Sequence, residues 1–443
     1  MSSNGRSDSP QPDAVVPAVQ SSPTLKTAAE PIIPSPSSDP PQDDTPVVLP
    51  HLRRRVSDIS AGLPFHILKD VFFAARDGND HDEFDHGGEL VRWDSCESAW
   101  AFALVCRAWL PAAVFALYRS VAIIGGESSE LFLRTLREQP ERAAFVKSLV
   151  IGLDYRNEAE PLTEAARLES NIVVQVLEAC PNITQLQIRP FHPSVRRRLL
   201  AAVRSKPLTS LVCLPLYDLG RELSLFRAGD LLELVSPNLQ QFEMDLCVES
   251  ESPLSSHISF PSLALVDLRM RCTGADPVIL ALLTEAGPTL EHIDVYFEAI
   301  LDDPDVAAAA LLPSIHTLRY LSFLTNPTLA VLEARFRPDI PQVFDLTLQQ
   351  FKKLECLHTS TTEVSSNLFR LLPPSLRRIK LAAFHHSPSF HASHGIIEAL
   401  KDRDIDFRLT DFELRDGAWD PKDVEEIALA LEGRGIVFSF QPE

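Results

Sequence analysis

One apolar pattern recurs from Val146 to Leu381 and leaves few folds open. An apolar residue, two positions skipped, a second, one skipped and a third occur nine times: Val146/Leu149/Ile151, Ile183/Leu186/Ile188, Leu208/Leu211/Cys213, Leu239/Phe242/Met244, Leu263/Val266/Leu268, Leu290/Ile293/Val295, Leu318/Leu321/Phe323, Leu354/Leu357/Thr359 and Leu376/Ile379/Leu381. First members lie 22 to 37 residues apart, with a mean of about 29. Two apolar residues separated by one position fall on the same face of a short strand, and the residue between them faces the other way. Several units open with Pro-x-Leu or Pro-x-Ile, at Pro181, Pro237, Pro261, Pro288 and Pro374. Helical stretches such as Ile172 to Cys180, Leu231 to Val235 and Val278 to Ala286 precede the strands. A single unit of helix, Pro turn and strand cannot cover its own apolar face, so units must stack, with a parallel sheet on one side and helices on the other. The expected fold is therefore an α/β solenoid of about nine to eleven units.

Two further helix-strand units are expected at the carboxy terminus. In the second, Asp420-Pro421 starts a helix with Val424, Ile427, Ala428 and Leu431 on one stripe, Gly433 stops it, and Ile436 to Phe440 runs as a strand. Period and pattern together resemble leucine-rich repeats.

Residues 1 to 50 differ from everything that follows. They hold eleven of the 35 prolines and nine serines, a composition that cannot bury enough apolar surface to offset chain entropy, so residues 1–55 are expected to be a disordered tail. Four Ser/Thr-Pro steps (Ser9, Ser22, Ser35, Thr45) lie within it, and Arg53-Arg54-Arg55 closes it.

Residues 56–122 read as a small helical module. Ile67, Leu68, Val71 and Phe72 form one stripe behind the helix-starting pair Leu63-Pro64. A second helix carries Phe102, Val105 and Trp109, and a third starts near Pro111 with Val114, Leu117 and Tyr118. An acidic, histidine-bearing insertion, residues 76–96, separates the first two helices, and the repeats are expected to occupy residues 123–443. Three elements appear in order: Leu63-Pro64 with Ile67-Leu68, then Leu104-Val105-Cys106-Arg107-Ala108-Trp109, then Leu117-Tyr118-Arg119-Ser120-Val121. In that order they resemble the F-box, in the form found in many fungal proteins. The resemblance implies that Leu63, Pro64, Ile67, Leu68, Leu104, Val105, Cys106 and Trp109 bind a Skp-type adaptor. Through it the chain would join a cullin-based ubiquitin ligase, while the repeats hold a substrate protein. The alternative is a leucine-rich-repeat scaffold whose helical head merely caps the repeats.

Charge and composition exclude other classes. Lys and Arg number 41 against 61 Asp and Glu, a formal charge of −20, which argues against nucleic acid or an anionic membrane as partner. No apolar run suits a transmembrane helix or a signal peptide. The seven cysteines are odd in number and scattered, as expected of reduced thiols in a cytoplasmic or nuclear protein. No phosphate-binding glycine loop and no Gly-x-Ser-x-Gly is present, so neither an enzyme nor a bound cofactor is expected. The groups His81, Asp82, Glu83, Asp85, His86 and His385, His386, His391, His394 carry metal-binding residue types, but adjacent ligands in a polar loop read as solvated side chains.

Overall fold

In a computed structural model of the chain, the described residues are 63–77, 104, 107–153, 163–214, 216–218, 221–223, 226–247, 259–272, 277–297, 304–325, 344, 347–361, 364, 367–382, 396–402, 405, 408–415 and 419–441. The chain divides into two units, Met1–Arg55 and Val56–Glu443. The expected tail, and the acidic insertion from residue 78 on, lie outside the described residues.

The second unit is α/β and is built on one long parallel sheet, an arrangement compatible with a solenoid. Its strands follow one another in sequence order: β1 Ser120–Ile124, β2 Ser148–Gly152, β3 Gln185–Ile188, β4 Ser210–Cys213, β5 Gln241–Cys247, β6 Asp267–Cys272, β7 His292–Phe297, β8 Tyr320–Thr325, β9 Cys356–Ser360, β10 Arg378–Ala382, β11 Asp411–Arg415 and β12 Val437–Gln441. The two-residue strand Phe226–Arg227 pairs beside β5, and Leu216–Asp218 with Arg221–Leu223 make a separate antiparallel hairpin. Register explains the repeat. Leu149, Leu186, Leu211, Phe242, Leu268, Ile293, Leu321, Leu357, Ile379 and Phe412 are lateral neighbours in one row. Ile151, Ile188, Cys213, Met244, Met270, Val295, Phe323, Thr359, Leu381 and Leu414 form a second row, and every member of both rows is buried. A strand slipped by one residue would turn both rows to water, so each unit fixes the register of the next.

The register corrects one unit. The expected triplet Leu263/Val266/Leu268 is two residues out of phase: Leu268 pairs with Phe242 and Ile293 and so takes the middle position. The true triplet is Leu265/Leu268/Met270, and Val266 is 38% exposed. A tenth triplet, Leu409/Phe412/Leu414, is buried in phase on β11.

Helices cover the apolar side. The longer ones are α3 Gly126–Glu138, α4 Glu164–Ala179, α5 Arg196–Arg204, α6 Pro277–Ala286, α7 Pro304–Leu311 and α8 Pro421–Glu432, after α1 and α2 of the head, and the short helices Pro140–Ala143 and Leu231–Leu234 add to them. Thr163 caps α4, its Oγ1 accepting from the Ala166 amide at 3.1 Å, and α4 buries Val173, Val174, Val176 and Leu177. Single 3-10 turns, Leu312–Ser314, Leu348–Gln350 and Leu368–Arg370, line the later connections. Asp420 caps α8 with its side chain on the Lys422 amide at 2.8 Å, as the Asp-Pro pair predicts. The helix ends where expected, with Gly433 as its C-cap; Gly433 is right-handed, and Gly435, at φ +71°, takes the left-handed position. There Ile436 N donates to Leu431 O and Gly435 N to Glu432 O, the closing bonds of a Schellman motif.

The head has its own small core. Helices α1 Phe65–Asp77 and α2 Leu110–Arg119 bury Leu68, Phe72, Ala112, Ala113 and Ala116, with Trp109 against them. Of the expected middle helix, Leu104 is helical and residues 107–109 form a turn. The sheet starts at Ser120, directly after α2 and inside the stretch expected to close the head. Phe115 links head to repeats, its ring 6.0 Å from Phe65 and 5.1 Å from Phe145.

Candidate functional site

Two surfaces carry unspent chemistry. The first is the head. The expected stripe of α1 splits, because Leu68 and Phe72 turn inward while Ile67 and Val71 stay at the surface. Leu63 is 41% exposed and Ile67 39% exposed, Pro64 is exposed, and the Pro64 carbonyl accepts the amides of Ile67 and Leu68 to start the helix. Phe65 and Leu110 add exposed apolar area that sequence reading did not single out. Leu104 is 83% exposed, and Trp109 is half-buried with its ring 5.4 Å from Phe72. Val105 and Cys106 lie outside the described residues. Of the expected adaptor-binding residues, Leu63, Pro64, Ile67 and Leu104 are thus at the surface, Leu68 is interior, and Trp109 is shared between the two.

The second surface is the face of the sheet turned away from the helices. Its positions alternate with the buried rows. On β1 to β4 these strand residues are uncharged: Ser120, Ala122, Ser148, Val150, Gln185, Gln187, Ser210 and Val212. Charge begins at β5, where Glu243, Arg269 and Asp294 are lateral neighbours on β5, β6 and β7. The Arg269 guanidinium is committed to Asp267, donating at 3.3 Å from both Nε and Nη2. Burial lifts the Glu243 carboxyl above its usual range; Arg269 opposes that shift and the Asp267 and Asp294 carboxylates reinforce it. His292 approaches Asp267 at 4.0 Å, its ring 4.2 Å from that of Tyr320. Burial, helped by Asp294, pushes the Tyr320 hydroxyl up to about 12.

The same row continues across β8 to β11 as Ser322, His358, Lys380 and Glu413. His358 is buried, with Nδ1 3.2 Å from Ser322 Oγ and Nε2 without a hydrogen-bond partner. Burial, with the Arg415 and Lys380 charges beside it, drives its pKa down to about 4. Lys380 Nζ sits 3.2 Å from Glu413 Oε2, and Arg415 Nε donates to Glu413 Oε1 at 2.5 Å. That pairing holds the Glu413 carboxyl below its usual range in spite of burial.

Ser322 and His358 do not make a nucleophile and base. An imidazole with a pKa near 4 has little appetite for the proton of Ser322, itself 1% exposed. Cys180, Cys213 and Cys272 are buried and outside any disulfide; burial pushes Cys180 up to about 12 and Cys213 well above the ordinary range, which leaves those two as thiols rather than reactive thiolates. Among the described residues no group of three or more His, Cys, Asp or Glu could hold a metal, and no helix is long and apolar enough to cross a membrane. Both histidine-bearing groups weighed as metal ligands lie outside those residues. No protein-family model matches the chain, and no curated protein matches it either.

Proposed function

We propose that the chain is the substrate-recognition subunit of a Skp-cullin-F-box ubiquitin ligase, its head an F-box-like module that binds the adaptor and its sheet a leucine-rich-repeat solenoid that holds a substrate protein. The observation that carries this reading is the apolar surface at α1: Phe65, Ile67 and Val71 on the helix, and Leu63 just before it, stand exposed while Leu68 and Phe72 already fill its inner side. Large apolar side chains gathered on one helix while its core is satisfied mark a protein interface. The chain acts by binding, in the cytoplasm or nucleus, without a cofactor, and neither nucleic acid nor membrane is its partner.

The test is a titration of purified Skp-type adaptor into wild type and into a Leu63→Ala/Pro64→Ala variant. The wild type should bind at micromolar adaptor or below, and the variant should lose about 2 kcal/mol of binding or more, the size of an interface anchor, with little change in unfolding. No binding by the wild type would replace the ligase reading with that of a leucine-rich-repeat scaffold whose head is a cap.

A further inference from the structure

We propose that the open face of the sheet takes an extended basic segment of the substrate, laid across β5 to β9 with Lys or Arg side chains on Glu243 and Asp294 and a polar group on His358 Nε2. The identity of the segment as substrate rests on the receptor reading above; the surface itself does not.

Charge complementarity selects the occupant. Glu243, Asp245, Asp267 and Asp294 stand on β5 to β7 against Arg269 and Arg271, four carboxylates to two guanidinium groups, beside the uncharged strand positions of β1 to β4. Arg269 faces both Glu243 and Asp294 across the ladder, yet its hydrogen bonds go to Asp267. Arg271 lies over the Tyr296 ring, 5.0 Å from its centre. Among the described residues neither Glu243 nor Asp294 has a hydrogen bond or ion pair, and Glu243 is half-buried. A half-buried carboxylate with no hydrogen bond, offset only by the Coulombic pull of a guanidinium that is bonded to Asp267, is costly, and an incoming cation relieves that cost. The net charge of −20 disfavours an anionic partner and steers a cationic one inward.

A second, independent observation lies in the same row. His358 is nine-tenths buried and its Nε2 lacks a hydrogen-bond partner, while Nδ1 is satisfied by Ser322. A buried polar atom without a partner favours a hydrogen bond from a ligand, which has to part the side chains around it to reach Nε2, because Ser322 is 1% and His358 9% exposed. Strand spacing sets the ligand's length. Glu243 and Asp294 are two strands apart, roughly 10 Å, and His358 lies two strands further, at about 4.8 Å per strand. An extended chain advances about 3.3 Å per residue, so two basic residues three positions apart reach both carboxylates, and the next three residues reach His358.

Fluorescence anisotropy with labelled Ser/Gly peptides, about 12 residues long, tests this. One peptide carries Arg pairs three positions apart, one carries Glu in their place, and one is uncharged; each meets the full chain at low and at high salt. The wild type should bind the Arg peptide alone, more weakly at high salt. Glu243→Gln/Asp294→Asn should bind it at least tenfold more weakly, with most of the salt dependence gone, and Asp294→Lys should abolish binding. His358→Phe should lose severalfold affinity with the salt dependence intact. Binding of the Glu peptide by wild type, absence of Arg-peptide binding, or equal binding by the double variant would overturn the proposal. Adaptor titration of the same proteins separates the two readings. Adaptor binding without peptide binding defeats this inference alone, and peptide binding without adaptor binding defeats the receptor reading alone.

Discussion

Asp230 accepts both sides of the Arg196 guanidinium, Nε at 2.8 Å and Nη2 at 2.6 Å, and its Oδ2 also accepts the Arg227 amide at 2.8 Å. The pair ties the start of α5 to the turn that precedes the Pro237 unit, 34 residues along the chain. Asp230 is nearly buried, so removing it strands a positive charge and an amide together. Asp230→Ala should cost about 3 kcal/mol, toward the lower end for a broken buried pair because Arg196 keeps some contact with water. Urea unfolding followed by circular dichroism measures it. Replacing both residues with apolar side chains should cost less than Asp230→Ala alone.

The corrected fifth unit makes the sheet register testable. Leu265 is buried in phase with Leu239 and Leu290 of the flanking units, whereas Val266 is partly exposed. Leu265→Ala should destabilise by about 2–5 kcal/mol and Val266→Ala by less than about 0.5 kcal/mol. Equal effects in thermal unfolding would restore the original phase.

These two cases mark what a sequence can and cannot disclose about this fold. The apolar triplets were readable because a parallel strand covered by helices repeats its inward residues at fixed offsets, and eight of the nine triplets sit in phase. The fifth failed because Leu263, Leu265, Val266 and Leu268 offer two apolar triplets, and only pairing with Phe242 and Ile293 chooses between them. The expected stripe of α1 holds only for Leu68 and Phe72; Ile67 and Val71 face outward, which depends on where α2 lies. The open face was the least legible. Glu243, Arg269 and Asp294 are far apart in sequence and become neighbours only through register. A spacing of 25 or 26 residues between charged positions could have signalled them.

Trp109→Ala should act on the head more than on the repeats. Its ring lies against Phe72 in a core that comprises five buried side chains among the described residues and is separate from the larger one. Loss of about 3 kcal/mol is expected, at the low end for an aromatic because the ring is half-buried. Limited proteolysis should then cut within residues 63–119 before the repeats, which would keep their thermal transition.

His358 gives the stability a pH dependence of known sign. Its pKa lies near 4 in the folded chain against an ordinary value of 6.5, so below pH 6.5 the unfolded chain binds a proton that the folded chain refuses. Its contribution is complete above about pH 6.5 and is lost as pH falls toward 4, on the order of 3 kcal/mol in all. The groups around it are Ser322, Lys380, Arg415 and Glu413; Glu413, held below its usual range, loses its own contribution only at lower pH. Subtracting the urea midpoints of His358→Phe from those of wild type between pH 7.5 and 4.5 should expose a slope in that window, and a flat difference would refute the buried neutral imidazole.

Glu243 should behave in the opposite sense, which ties the proposed ligand surface to a cost in stability. Its carboxyl is raised above the usual range by burial, with Asp267 and Asp294 adding to the shift and Arg269 opposing it. Near neutral pH the folded chain therefore carries an ionised group that the unfolded chain accommodates more easily. As pH falls, the folded state takes up this proton before the unfolded state does, so the penalty fades toward pH 4.5. Glu243→Gln keeps the shape and removes the charge. It should raise the unfolding midpoint at pH 7, and its advantage over wild type should shrink as the buffer is acidified. A variant that unfolds more easily than wild type at pH 7 would mean that the carboxylate is satisfied within the chain, and its role as an open acceptor for a cation would fall with it. A variant that is more stable yet binds the basic peptide more weakly would place Glu243 among residues kept for binding at the expense of stability.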